Sequence, residues 1–201
     1  MTSEEFKKHV KSVCKDRKVK TSFPYTNHVI DEGIECSGWF GGDHDDEPAN
    51  LAVAWRDRTK RLYILVHEFS HCDQWFEEDP LFNTNDIFWD WIAGQRYSKD
   101  EVNKSIEDYM KVEWDAERRA IDKIKEFDLP LDIDRYTQRA NSYVYFHRLI
   151  QRNRMWCVAG YGPYDTQIVL DEMPKTLDKD FLNVNENVLD FMDTHLKFNK
   201  L

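Results

Sequence analysis

The sequence predicts an α+β fold, rich in helix, with a small sheet beside a central helix. Three observations predict it. Apolar residues recur with a helical period along much of the chain, and one such stretch runs from Lys99 to about Phe127. One short apolar run, Leu51-Ala52-Val53-Ala54-Trp55, is closed by the charged turn Arg56-Asp57-Arg58-Thr59-Lys60 and reads as a strand. The segment after it resumes a helical period and carries His67-Glu68-Phe69-Ser70-His71.

Taken in order, residues 3–19 read as a first helix. Ser3 is placed to cap it, Glu4 and Glu5 lie where the helix dipole favours acids, and Phe6, Val10 and Val13 form the apolar stripe. Thr21 to Pro24 breaks it. Residues 28–42 read as strand or irregular chain, with Trp39 and Phe40 set among glycines. Asp43-His44-Asp45-Asp46-Glu47-Pro48 is an acidic stretch without the spacing of an EF-hand, and it reads as a solvated loop.

Leu62, Leu65, Val66, Phe69, Cys72 and Phe76 keep a helical period, which predicts a helix from about Arg61 to Phe76. Residues 77–97 read as an irregular connection holding Asn83-Thr84-Asn85 and the aromatic cluster Phe88, Trp89 and Trp91. Ser98-Lys99-Asp100-Glu101 is a capping box that opens the long helix, and Pro130 lies beyond its end. Residues 134–154 form a further helix with Tyr136, Ala140, Tyr143, His147 and Ile150 on one stripe. Val158 to Pro163 reads as a turn, 164–173 as a short strand, and Asn185 to Phe198 as a closing helix with Val188, Leu189, Met192 and Leu196 inward.

Composition narrows the function classes. The chain has 201 residues, 41% apolar residues and a net charge of −10, enough for a real core and too apolar for disorder. Such an acidic surface repels phosphates and anionic lipid, so neither a nucleic acid nor a membrane is an expected partner. The first 20 residues run the other way, with seven Lys or Arg against three acids, and read as a solvated basic face. No apolar run reaches the ~20 residues of a membrane span. No secretory signal is visible, and Cys14, Cys36, Cys72 and Cys157 make no C-x-x-C pair, so a cytoplasmic protein with reduced thiols is expected.

The pattern H-E-x-x-H puts two histidines at i and i+4 on one helix face, a turn apart, so both imidazoles can reach one ion. Neutral imidazole suits zinc. Glu68, beside the first histidine, is placed to take a proton from water at such an ion. Cys72 adjoins His71 but points off that face, and packing is its expected role. On the long helix, Val102, Ile106, Met110, Glu113, Ala120 and Ile124 fall on one narrow stripe. Glu113 sits at its centre, Glu117 lies one turn on, and Asp115 points away. Carboxylates on a buried stripe need an ion or a partner. Tyr143 and His147 read first as a core stripe, and second as candidates to donate a hydrogen bond to an oxyanion.

His67-Glu68-Phe69-Ser70-His71 followed by Glu113-Trp114-Asp115-Ala116-Glu117-Arg118-Arg119-Ala120 resembles the gluzincin-like metallopeptidases, and the chain is similar to the small H-E-x-x-H proteins of phages and bacteria. The resemblance spans about residues 50–127, leaving 1–45 and 128–201 as flanks without an assigned role. It implies a zincin-like fold in a single domain, 1–201. It implies Glu113 as third zinc ligand and Ala116 as the small residue that lets two helices approach. It implies Glu117 as the group holding a ligand histidine, although the family more often has Asp or Asn there. It also implies that the strand before the active helix, Leu51–Trp55, lies at a sheet edge and pairs with an extended peptide, with Trp75 following the motif.

Together these readings predict a zinc metallopeptidase with one Zn²⁺ held by His67, His71 and Glu113, Glu68 as general base, and peptide or protein as substrate. The alternatives are a zinc-binding interaction protein that keeps the site without catalysis, and a metal-free interaction protein in which H-E-x-x-H is coincidental. Oligomeric state is left open.

Overall fold

The computed structural model describes residues 1–31, 34–42, 48–80, 82, 86–158 and 160–199. The acidic stretch 43–47 and Asn83-Thr84-Asn85 lie outside the described residues. The fold is helix-rich with a small mixed sheet, an α+β arrangement. The chain forms two compact units, residues 1–79 with 116–132, and 80–115 with 133–201. The long helix is continuous from one into the other.

In the first unit, α1 (Ser3–Asp16) begins one residue earlier at its cap than Ser3 would give. Thr2 is the N-cap. It closes a capping box with Glu5, whose carboxylate accepts from the Thr2 backbone N–H at 2.8 Å. Only Thr2 has an acid three residues on, which is why it wins over Ser3. The helix ends at Asp16 rather than near residue 19. Lys18 turns left-handed at φ 61°, and Lys20 enters a strand instead. Its buried stripe is Phe6, Val10 and Cys14, not Val13.

The sheet contains β1 (Lys20–Ser22), β4 (Gly38–Gly41) and β5 (Asn50–Val53), in the order β1-β5-β4. β1 runs parallel to β5, with Thr21 opposite Leu51. β4 runs antiparallel to it, with Trp39 opposite Ala52. β5 is therefore the inner strand, flanked on both sides. This corrects the edge position expected for Leu51–Trp55. Leu51 and Val53 are fully buried, as an inner strand requires. β2 (Val29–Asp31) and β3 (Ile34–Cys36) make a separate antiparallel pair, and Val29, Ala52 and Ala54 pack together with Cys36 and Trp39 against them.

Helix α2 (Arg58–Phe76) lies on the sheet. Gly38 makes the approach possible. A Cβ there would stand 2.6 Å from Ile64 Cγ2 and 3.0 Å from the Ala52 carbonyl oxygen. On its other side α2 meets α1, where Phe6 contacts Phe69 edge-on at 6.2 Å.

The second unit is helical. α3 (Asp86–Ile92) occupies part of the expected irregular connection. Seven residues are too few to display a period, yet Phe88 and Ile92, one turn apart, are buried. The capping box opening α4 (Lys99–Glu126) is present, with the Ser98 N–H donating to Glu101 at 2.8 Å. α5 (Ile133–Asn153) packs against α6 (Gln167–Glu172) and α7 (Glu186–His195). α6 replaces the strand expected at 164–173. Val169 and Leu170 are adjacent and both buried, whereas a half-buried strand alternates. The closing helix stops at His195, and Phe198-Asn199 forms β7, paired with Trp156-Cys157 as β6. Phe88, Ile106, Met110, Phe146, Leu149, Ile150 and Met192 lie in this unit's core. Among the described residues no helix is long and apolar enough to cross a membrane.

Candidate metal centre

Helix α2 is apolar on the sides that meet the sheet and α1, and its remaining side carries polar groups that are nonetheless buried. Leu62, Leu65, Val66 and Cys72 are fully buried, while His67, Glu68 and His71 each keep 8% of their exposure. On α4 the predicted stripe is inward. Glu113 is 3% exposed and Glu117 2%. Burying that many ionisable groups is unfavourable unless each is paired or ligating.

The geometry accounts for it. His67, His71 and Glu113 come together so that one ligand atom from each lies within 4.8 Å of the others. The Nε2 atoms of the two histidines are 3.2 Å apart, with the rings nearly perpendicular at 89°. The far nitrogen of each ring is held. Glu117 Oε1 lies 3.2 Å from His67 Nδ1, and Gln74 Oε1 lies 2.8 Å from His71 Nδ1.

Facing the Gln74 acceptor oxygen, His71 Nδ1 carries the proton and donates it, which leaves the lone pair on His71 Nε2. Glu117 stands at ion-pair distance from His67 Nδ1 without the alignment of a hydrogen bond. The two Nε2 atoms, 3.2 Å apart, share one hydrogen bond, and a cation that both can reach would take its place. The spacing also suits such an ion. Two nitrogens on a tetrahedral zinc at the usual bond length stand about 3.3–3.4 Å apart. Two imidazoles and one carboxylate are a donor set that could hold a metal ion.

Gln74 is the site residue the sequence reading missed. Its signal was present. It lies three residues after His71 on the same helix, within reach of that ring. Glu117 stands one turn beyond Glu113, as the helical period requires.

Cys72 is not in the group. Its sulfur faces α1, with Arg17 Nη1 at 3.9 Å. A hydrogen bond from Cys14 holds the Cys72 thiol below its ordinary pKa against the opposing effect of burial, with Arg17 adding to the lowering. The same hydrogen bond and burial push Cys14 far upward. A buried ion network lies beside this thiol pair. Asp73 binds Arg17 and also Lys123 of α4 at 2.6 Å, and Lys123 donates to Ser70 at 3.2 Å. It ties three helices together next to the histidines.

Tyr143 and His147 are placed in the aromatic layer of the second unit. The His147 ring lies 4.9 Å from both Tyr143 and Tyr109, and Tyr143 stacks on Tyr164 at 4.6 Å. His147 is fully buried, and its Nδ1 lies 3.3 Å from the Val144 carbonyl.

No family model matches this sequence, and no curated protein or solved structure matches the chain.

Proposed function

We propose that the chain is a zinc metallopeptidase with a zincin-like arrangement of α2, α4 and the sheet. The observation that carries this reading is the convergence of His67, His71 and Glu113, whose ligand atoms lie within 4.8 Å of one another, with Gln74 holding the His71 ring from behind. Three protein ligands leave room for water and substrate, whereas a purely structural zinc is closed by four.

A zinc ion bound there supplies Lewis acidity, which acidifies water and polarises a carbonyl. Glu68, adjacent to His67 and buried, is the general base. It accepts the proton of the attacking water and returns it to the departing amide nitrogen. His71 is held by its hydrogen bond to Gln74 and Glu117 stands behind His67, so the site needs little reorganisation. Since β5 is internal, the outer strands among the described residues are β1 and β4, and β4, which lies against α2, is the one placed to pair with an extended peptide.

The test is Glu68→Gln in the zinc-loaded full chain, read with a broad panel of peptides and unfolded proteins. Zinc should remain at one per chain and hydrolysis should fall by about 10²–10⁴-fold, the usual contribution of a general base. Wild-type protein that holds one zinc and cleaves nothing in the panel would replace this reading by the zinc-binding interaction protein. Protein that takes up no zinc would end both.

A further inference from the structure

We propose that a cavity in the second unit binds a small organic monoanion with a flat apolar body, of the aryl carboxylate class. The cavity has a volume of about 510 Å³ and lies among α3, α4, α5 and α7. Small-molecule sites typically occupy about 300–1,000 Å³ and combine apolar walls with a few placed polar groups. Both kinds of group line this one. Trp91 and Tyr97 supply aromatic surface, and the buried Val102 and Leu189 supply aliphatic surface. Both rings are fixed by groups outside the lining. Arg154 lies 5.0 Å from the centre of the Trp91 ring and donates to the Trp91 carbonyl at 2.7 Å. The Tyr97 hydroxyl donates to Asp90 at 2.7 Å. Rings fixed before binding lose little freedom when a flat ligand packs on them.

The polar lining sets the charge of the ligand. Three cations, Lys99, Arg148 and Arg152, line the cavity against one acid, Glu186, on a chain whose net charge is −10. Arg152 is neutralised, because it pairs with Glu186 and also with Asp190 at 2.7 Å. Arg148 is not. Its guanidinium donates to the Leu182 carbonyl at 2.8 Å and to Gln151 at 3.0 Å, while its acid, Glu107, stands at a longer 3.4 Å. Neutral acceptors orient a guanidinium without cancelling its charge. Lys99 is exposed at the start of α4 and adds a second cation on a flexible stem. Gln151 donates to the Asn103 carbonyl at 2.7 Å, so Asn103 keeps its amide N–H groups as donors. A guanidinium, an ammonium and amide donors together match a carboxylate. A dianion such as a phosphate monoester fits less well, since Glu107, Glu186 and Asp190 stand beside the same cations. The cavity shares no lining residue with the His67, His71 and Glu113 group, so the proposal stands apart from the peptidase reading.

The experiment titrates the full-length protein with matched probes: naphthylacetate, its neutral amide naphthylacetamide, and naphthyl phosphate. Affinity is read by calorimetry, and position by the indole N–H resonances of the tryptophans. Naphthylacetate should bind about 10–100-fold more tightly than the amide, and more tightly than the phosphate. It should shift the Trp91 resonance, assigned through Trp91→Phe, and leave those of Trp39, Trp55 and Trp75 in place. In Arg148→Gln the preference for acid over amide should fall by about tenfold or more, a change that a merely structural role would not produce. Lys99→Ala, at an exposed position, covers the case in which Arg148→Gln folds poorly. It should lower the same preference by about threefold. No binding at millimolar probe, equal binding of acid and amide, or tighter binding of the phosphate would overturn the proposal. So would shifts confined to Trp39, Trp55 and Trp75, or a preference that both variants leave intact.

Discussion

Glu117 Oε1 stands 3.2 Å from His67 Nδ1, a carboxylate at ion-pair distance behind the ring that meets His71 and Glu113. Gln74 Oε1 faces His71 Nδ1 at 2.8 Å and accepts its proton in a hydrogen bond. Partners of this kind raise ligand basicity and fix ring orientation, and losing one typically costs about 10–100-fold in metal affinity. Glu117→Ala and Gln74→Ala should each weaken zinc binding by that factor, measured by competition with a chromophoric chelator. Glu117→Gln keeps an acceptor oxygen and should lose much less. Equal zinc affinity in wild type and both alanine variants would show that neither group supports its histidine.

Lys123 is a buried cation, with its side chain 11% exposed, held between Asp73 and Ser70. Truncating it leaves Asp73 with Arg17 as its remaining cation in a poorly hydrated place. Breaking a buried pair from one side costs about 3–5 kcal/mol, and Arg17 should keep Lys123→Ala toward the lower end. Urea denaturation monitored by tryptophan fluorescence gives the value. A cost under half a kcal/mol would mean that water reaches Asp73 freely.

Gly38 is small because of its neighbours. The Cβ of Gly38→Ala would lie 2.6 Å from Ile64 Cγ2 and 3.0 Å from a backbone oxygen of the adjacent strand. The side chain of Ile64 can shift, but the backbone of β5 cannot easily do so. Overpacking of this size costs about 1–3 kcal/mol, to be read as a lowered midpoint in thermal unfolding. Combining it with Ile64→Leu should recover part of the loss, because leucine has no branch at Cβ and so lacks the colliding Cγ2. An unchanged midpoint would mean that β4 moves off α2 without penalty.

Asp108 is a buried carboxylate between Lys104 and Lys111 on α4. Burial pushes its pKa up, but the hydrogen bonds and charges of the two lysines outweigh that and hold it below the usual carboxylate value. A depressed folded-state pKa stabilises above the unfolded value, near pH 4, and the gain is lost as pH falls through the folded value. Asp108→Asn should therefore be less stable than wild type at pH 6, by at most about 1 kcal/mol because Lys104 is largely exposed. The two proteins should converge below pH 4. A gap that widens with acid would reverse the sign of this account.

The legible part of the molecule was the part governed by local period. The stripe on α4 put Glu113 and Glu117 inward because a helix repeats every 3.6 residues whatever surrounds it. The same rule set His67 and His71 on one face, and the Ser98–Glu101 box marked where α4 begins. Short elements escaped for the complementary reason. α3, α6 and the two-residue strands β6 and β7 are too brief to show a period, and contacts distant in sequence hold them. Lys123 is buried although no pattern along α4 marks it, because its ion pair with Asp73 of α2 offsets its desolvation.

By itself, then, the sequence determined the helix-borne donors, their spacing and the base beside them, since one turn of helix suffices to align such groups. Two matters were decided only by tertiary structure. β5 became an inner strand because β1 and β4 close on it from both sides, which no pattern within Leu51–Trp55 could announce. Glu117, on a helix far along the chain, came to stand at ion-pair distance behind His67 because the two helices pack together there. Each depends on groups distant in sequence meeting in space, and that is a property of the packed chain.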